Sequence, residues 1–274
     1  GLGYLGGGLL FAVNVWMTLQ PASFGLADTS EAVRVAFICT ALWWLVFSLP
    51  LMFFVHEPPA NKIGAAKAIK KGFNQLQDTF KKIRLLRQTF LFLLAYWLYI
   101  DGVDTIIRMA VDYGLSIGLA SSDLITALLI TQFVGFPAAI AFGHIGERIG
   151  TKQGILLALV VYIGVTLFSA FMHTAWQFYL MAVIIGLVQG GVQSLSRSLY
   201  TRLIPVGQSA EFFGFYNMLG KFAALLGPVL VGWITWLSGS NRIGIFSIVL
   251  LFIAGGYLLL RVDIAAGQRA VNKD

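Results

Sequence analysis

Runs of about 20 apolar residues recur along almost the whole chain, each long enough to cross roughly 30 Å of hydrocarbon as a helix. They fall at Gly3–Leu19, Val35–Val55, Thr89–Ala110, Leu124–Phe142, Gln153–Met172, Trp176–Ser196, Phe212–Ser238 and Ile243–Leu260. No soluble core hides that much apolar surface: the 274 residues are 58% hydrophobic and 11% charged, with a mean hydropathy of +0.82. The expected fold is all-α, a polytopic membrane bundle of about eight transmembrane helices.

The chain starts at Gly1 instead of Met and enters an apolar run at once, so it reads as a fragment and not as a signal peptide. After the last span, Arg261, Asp263, Arg269, Lys273 and Asp274 form a polar tail. Cys39, the single cysteine, lies in an apolar run and is expected to behave as a small buried hydrophobe.

Cation counts set the orientation. Residues 56–88 carry Lys62, Lys67, Lys70, Lys71, Lys81, Lys82, Arg84 and Arg87 against Glu57 and Asp78, which marks that loop as cytoplasmic. Alternation then places the 143–152 loop, the 197–211 loop with Arg197 and Arg202, and the C-terminal tail on the same side. The opposite loops are poor in cations, holding Arg34 and Arg242, with Arg108 at a span end. Within the basic loop, Phe73, Leu76, Phe80 and Ile83 recur at helical spacing among lysines, the pattern of an amphipathic helix whose cationic face meets anionic lipid. The net charge of +7 is concentrated there, and no nucleic-acid partner is needed to explain it.

The length of that loop marks a boundary, with two spans before it and six after. The organisation follows as residues 1–55, the last two helices of a first bundle; 56–88, a basic linker; 89–262, a complete six-helix bundle; and 263–274, a tail. Two six-helix halves joined by a long basic cytoplasmic loop are the plan of the major facilitator superfamily. The string GHIGERIGTK at 143–152 resembles that superfamily's cytoplasmic motif between the second and third helices of a half. Gly143, Gly146, Glu147, Arg148, Gly150 and Lys152 match it, whereas His144 and Thr151 depart from the commonest form. Glycines let helix ends approach, and opposite charges lock them. Glu147 and Arg148 are expected to pair across helix ends and to separate during alternating access, with Arg197 and Glu211 belonging to the same cytoplasmic gate. The plainer alternative is a charged turn obeying the positive-inside rule.

A second block, GLVQGGVQSLSRSLYTRLIPVGQSAEFFGFYNMLGKFAALLGP at 186–228, resembles the vacuole effluxer family, the branch that holds the autophagy-linked amino-acid effluxers of fungal vacuoles and uncharacterised bacterial relatives. Gln189, Gly190, Gly191, Gln193, Ser194, Ser196, Arg197, Pro205, Glu211, Phe213, Gly214, Tyr216, Gly220, Lys221, Gly227 and Pro228 carry the match. GLGYLGGGLL at the start and ALWWLVFSLPL at 41–51 resemble the same family's earlier helices. The resemblance implies the fold more firmly than a substrate.

Chemistry concentrates in the third span, where Asp101, Asp104 and Arg108 stand at i, i+3 and i+7 on one helix face. Asp101 lies roughly 20 Å inside the membrane at 1.5 Å per residue. An ionised carboxylate facing lipid there costs about 3 kcal/mol or more, so it must face a cavity, pair with a cation or hold a proton. Asp101 or Asp104 is expected to carry a coupling proton or bind a substrate amine, with Arg108 countering the charge. A salt bridge holding an outer gate is the alternative. Gly102 and Thr105 suggest a helix that breaks at this point. Asp112, nearer the loop, is expected to be solvated.

Further amides inside spans, Asn14, Gln132, Gln189, Gln193 and Asn217, either line the pathway or hydrogen-bond between helices. Gln189 and Gln193 share a face at i, i+4, and Tyr96, Trp97 and Tyr99 could wall a cavity one turn from Asp101. Gly3 with Gly7, Gly135 with Ala139 and Gly143, and Gly186 with Gly190 read as close helix crossings. Pro50, Pro137 and Pro228 read as kinks.

His56, His144 and His173 have no metal-ligand spacing, no phosphate-binding loop is present, and no serine has a base nearby, so neither an enzyme nor a metal site is expected. The expectation is a secondary permease moving a small polar solute, amino acids among the candidates, with a coupling proton and no other cofactor. Absent N-terminal helices of the same protein would supply the other cavity wall. A bacterial inner membrane is the expected location, with linker and C-terminus cytoplasmic. The alternative from another class is an integral-membrane enzyme or scaffold acting on lipids.

Overall fold

The computed structural model describes residues 2–55 and 64–271, and the described residues are helical almost throughout. His56, Glu57, Lys62, Lys273 and Asp274, which entered the charge argument above, and Gly1 lie outside the described residues. The helices are α1 (Leu2–Leu19), α2 (Thr29–Phe54), α3 (Ala65–Leu85), α4 (Arg87–Ser116), α5 (Ser121–Ile149), α6 (Thr151–Ser169), α7 (Ala175–Thr201), α8 (Ser209–Ala223), α9 (Leu226–Ser238), α10 (Asn241–Phe246), α11 (Ile248–Leu260) and α12 (Ile264–Val271). Among the described residues, eight segments are helical and apolar enough to cross a membrane, with α8–α9 and α10–α11 each counted as one span. That is the expected all-α polytopic bundle.

The chain divides into two compact units, residues 2–69 and residues 70–274. In the first, α1 packs on α2. The start of α2 is set by Asp28, whose carboxylate accepts from the Glu31 amide at 2.7 Å, while the Glu31 carboxylate accepts from the Ala27 amide at 2.7 Å. Gly3 and Gly7 have open space where a Cβ would stand, so no close crossing runs through them within this unit.

In the second unit α5 pairs with α7 and α4 with α11, and α6 lies between α7 and α11. Small residues make these approaches. Gly186 lets α7 come within 3.0 Å of the Thr131 carbonyl oxygen, measured from an added Cβ, and Gly191 seats the Phe142 ring. By contrast Gly143 faces open space, so the expected glycine crossing on α5 does not extend to it. Buried hydroxyls stitch the helices across sequence: Thr89 Oγ1 donates to the Leu203 carbonyl at 2.6 Å, Tyr200 Oη donates to the Phe212 carbonyl at 3.0 Å, and Tyr99 Oη bonds Ser196 Oγ at 2.7 Å.

Two differences from the sequence expectation matter for the site. The third span does not break at Gly102, because α4 runs unbroken from Arg87 to Ser116 and Gly102 is filled by the Phe252 ring, 2.9 Å from an added Cβ. The break lies in the seventh span, between Ala223 and Leu226, with Pro228 in the first turn of α9, where a missing N–H costs nothing. The tail, in turn, is an amphipathic helix docked on the bundle: Gly267 of α12 packs on Leu203 and Gln88, and the Asp263 amide donates to Gln88 Oε1 at 2.9 Å.

Candidate functional site

Asp101 lies 14 residues into α4, about 21 Å along the helix from Arg87. Its side chain is wholly buried, and neither carboxylate oxygen has a hydrogen-bond partner of acceptable geometry. The polar group facing it is the backbone amide of Gly227, in the first turn of α9. One turn further along α4, the buried Thr105 hydroxyl, also unpartnered, packs directly on Gly227, whose lack of a side chain makes the contact. A sealed carboxyl at the freed amides of a half-helix is therefore built by the break in the seventh span.

Asp104 is placed differently. Three residues on, it is rotated about 60° round the helix from Asp101. It opens with Arg108 into a polar cavity of about 250 Å³, whose lining does not include Asp101. From α7 come Gln193 and Arg197, and from α8 come Tyr216, Asn217 and Lys221. The expected single stripe of Asp101, Asp104 and Arg108 is thus divided between a sealed side and an open side. Asp104 sits in the field of Arg108 and Lys221. Among the described residues, however, Arg108, Arg197 and Lys221 form no ion pair, the pairs being Lys81 with Asp78 and Lys82 with Glu211.

Tyr96 forms an aromatic wall of the cavity, stacked on Tyr216 with centroids 4.2 Å apart, and Tyr216 stacks on Tyr200 at 5.0 Å. Gly220 leaves room for the Tyr96 hydroxyl, which would stand 3.2 Å from a Cβ there. Trp97, by contrast, is not among the lining residues. Lys221 and Tyr216 were not singled out as site residues in the sequence reading. Lys221 carried a usable signal, because it is the one charged residue between Phe212 and Ser238, and a charge at mid-span marks function by default.

The amides separate. Gln193 and Asn217 line the polar cavity, whereas Gln189, one turn from Gln193, lines a small apolar one of about 40 Å³ with Ile106, Ala110, Phe178 and Ile185. Gln132 is half-buried on α5 and lines neither. Asn14 belongs to the other unit, where its Nδ2 donates to Thr40 Oγ1 at 3.4 Å.

The 143–152 motif forms the α5–α6 corner. Gly150 turns the chain with φ +92°, and Gly146 seats Leu195 of α7. Lys152 donates to the carbonyl oxygens of Leu260 and Val262 at 2.9 and 2.8 Å, capping the end of α11. Glu147 and Arg148 are exposed and, among the described residues, have no ion-pair partner. Adjacent residues diverge by about 100° on a helix, so the two cannot pair with each other. The partner expected across helix ends is absent among the described residues of this conformation. Arg197 lines the cavity, and Glu211 binds the linker helix: it lies 3.7 Å from Lys82 Nζ and accepts from Gln75 Nε2 at 2.9 Å. Lys82 also donates to Gln208 Oε1 at 3.0 Å, and the Phe80 and Phe215 rings lie 6.0 Å apart.

A family model described as "Vacuole effluxer Atg22 like" matches residues 1–272. An uncharacterized MFS-type transporter, YxiO, of Bacillus subtilis is 38% identical over 260 residues, covering 94% of this chain and 60% of that protein. Autophagy-related protein 22 of Yarrowia lipolytica is 24% identical over 301 residues, covering 98% of the chain and 50% of the relative. Autophagy-related protein 22-1 of Aspergillus niger is 25% identical over 292 residues, covering 98% and 47%. The chain therefore spans 60% of the bacterial relative and about half of these fungal ones. With the family model covering nearly every residue and the helical bundle agreeing with it, the chain belongs to the Atg22-like vacuole effluxer family.

Proposed function

We propose that the chain forms the solute-binding wall of a secondary transporter that moves a small polar solute, amino acids among the candidates, by alternating access. The observation that carries this reading is the polar cavity of Asp104, Arg108, Gln193, Arg197, Asn217 and Lys221 set among membrane-spanning helices. Charged groups at that depth are too costly to face lipid, so a solute, water or further helices must meet them. Further helices of the full-length protein close the opposite wall. The names of the bacterial relative, an MFS-type transporter, and of the matching effluxer family point the same way.

In this reading Asp101 takes up and releases the coupling proton behind the cavity, while Asp104 meets the solute. Its burial beside an unpartnered threonine at a half-helix N-terminus supports the assignment. The ends that carry Gln88, Lys152, Gln208 and Asp263 contact one another and face the cytoplasm by their cation count, with the lysines of α3 toward anionic lipid. The α5–α6 corner acts as the gate at that end.

Full-length protein in proteoliposomes tests the reading through uptake of labelled amino acids with and without an imposed pH gradient. Asp101→Asn should abolish the gradient-driven component, and Asp112→Asn, on an exposed turn of α4, should leave it. Gradient-driven uptake retained equally in both variants would remove Asp101 from coupling.

A further inference from the structure

The cavity holds three cations, Arg108, Arg197 and Lys221, against one carboxylate, Asp104. Among the described residues no cation of the three has an ion-pair partner, and all three are exposed. Cations facing hydrocarbon at membrane depth each cost about 3 kcal/mol, so three of them against one carboxylate belong to a water-filled space, whose positive field favours an anionic solute over a neutral or cationic one. Two guanidinium groups among the three favour planar oxyanions that accept two hydrogen bonds from one fork, and the ammonium of Lys221 adds a mobile point charge. The single carboxylate, set in the field of Arg108 and Lys221, leaves one place for a cationic group.

We propose that this wall recognises a small solute bearing two carboxylates and one ammonium group, the acidic amino acid class. The carboxylates sit on Arg108, Arg197 and Lys221, the ammonium on Asp104, and the stacked rings of Tyr96 and Tyr216 flank the carbon chain. A volume of about 250 Å³ suits a solute of this size. The proposal rests on the transport reading and narrows its substrate.

Counterflow in proteoliposomes of full-length protein tests it with labelled glutamate, a plain four-carbon dicarboxylate, leucine, lysine and inorganic phosphate. Glutamate should exchange fastest. Arg197→Gln and Lys221→Gln should each raise its KM about tenfold or more, as expected for a lost charge-assisted hydrogen bond. Arg197→Lys and Lys221→Arg, which keep the charge, should recover part of the loss. Asp104→Asn should weaken glutamate more than the plain dicarboxylate, because only glutamate brings an ammonium group. Thermal stabilisation of each purified variant by glutamate gives a second readout for proteins that fold but turn over slowly. Faster exchange of leucine or lysine than of glutamate, exchange of phosphate alone, or a glutamate KM unmoved in both glutamine variants would overturn the assignment while leaving a transporter. No flux of any of the five solutes by folded protein would overturn the transport reading beneath it.

Discussion

Adjacent glycines on α11 form a matched pair for testing how α4 is held. A Cβ on Gly255 would stand 2.9 Å from the Tyr99 backbone nitrogen, 2.9 Å from Tyr99 Cβ and 3.1 Å from the Ala95 carbonyl oxygen. On Gly256 it would meet Leu159 Cδ1 at 3.7 Å, an ordinary contact. Optimal separation between carbon atoms is about 3.5–4.0 Å, so the Gly255→Ala deficit is about 0.6 Å or more. The obstructing atoms are backbone and Cβ, which no rotamer change can move, so α4 and α11 must part. Overpacking of this kind costs about 1–3 kcal/mol. Both alanines gain the same helix propensity, about 1 kcal/mol, so the difference between the variants isolates the overpacking. Melting midpoints measured side by side in detergent, by size exclusion after heating, should place Gly255→Ala several degrees below Gly256→Ala. Gly255→Ala should also slow transport, since Ala95 and Tyr99 bracket the turn that presents Tyr96 to the cavity. Equal midpoints, or a lower one for Gly256→Ala, would refute the close α4–α11 approach.

Lys152→Met removes two hydrogen bonds to the Leu260 and Val262 carbonyl oxygens, which water partly replaces, and should cost about 1–2 kcal/mol. Faster amide exchange at the end of α11 and in α12 is the readout, and unchanged exchange would show that the cap is idle. Charge reversal Lys82→Glu should free α3 from α8 and expose it to protease, at under about 1 kcal/mol of global stability for a pair this exposed. Adding Glu211→Lys should restore protection, and failure to do so would deny the pairing.

The spans were legible because hydropathy over 20 residues is a one-dimensional property, and the linker helix because Phe73, Leu76, Phe80 and Ile83 keep a helical period. The division of Asp101 from Asp104 was not. Their spacing puts them on neighbouring lines of one helix, but which line is sealed depends on where α9 begins, and that depends on Gly227 admitting Thr105. Gln189 and Gln193 fail to share a cavity for the same reason: a common helix face says nothing of what packs against each turn. Glu211 was assigned to a gate by its place in a motif, whereas its partners Gln75 and Lys82 stand far away in sequence. Lys221 was read only as part of the family match, although its charge at mid-span marked it as a site residue.

The break in the seventh span ties these features together mechanically. α8 holds Glu211 in its first turn, where the α3 contacts engage it, and Asn217 and Lys221 further along, where they line the cavity. About 15 Å of rigid helix separates Glu211 from Lys221. α9 begins just past the break, with Gly227 against Asp101 and Thr105. A force applied to α8 through Lys82 and Gln75 therefore moves Asn217 and Lys221 together. The same force reaches the buried carboxyl by two routes, through the turn at Ala224 and Leu225 and through the stacking of Tyr216 on Tyr96 of α4. An unbroken helix from Ser209 to Ser238 would have moved Lys221 and Gly227 together. The break therefore separates Asn217 and Lys221, which line the cavity, from Gly227, which faces Asp101, so the two sides of α4 meet different segments of the seventh span.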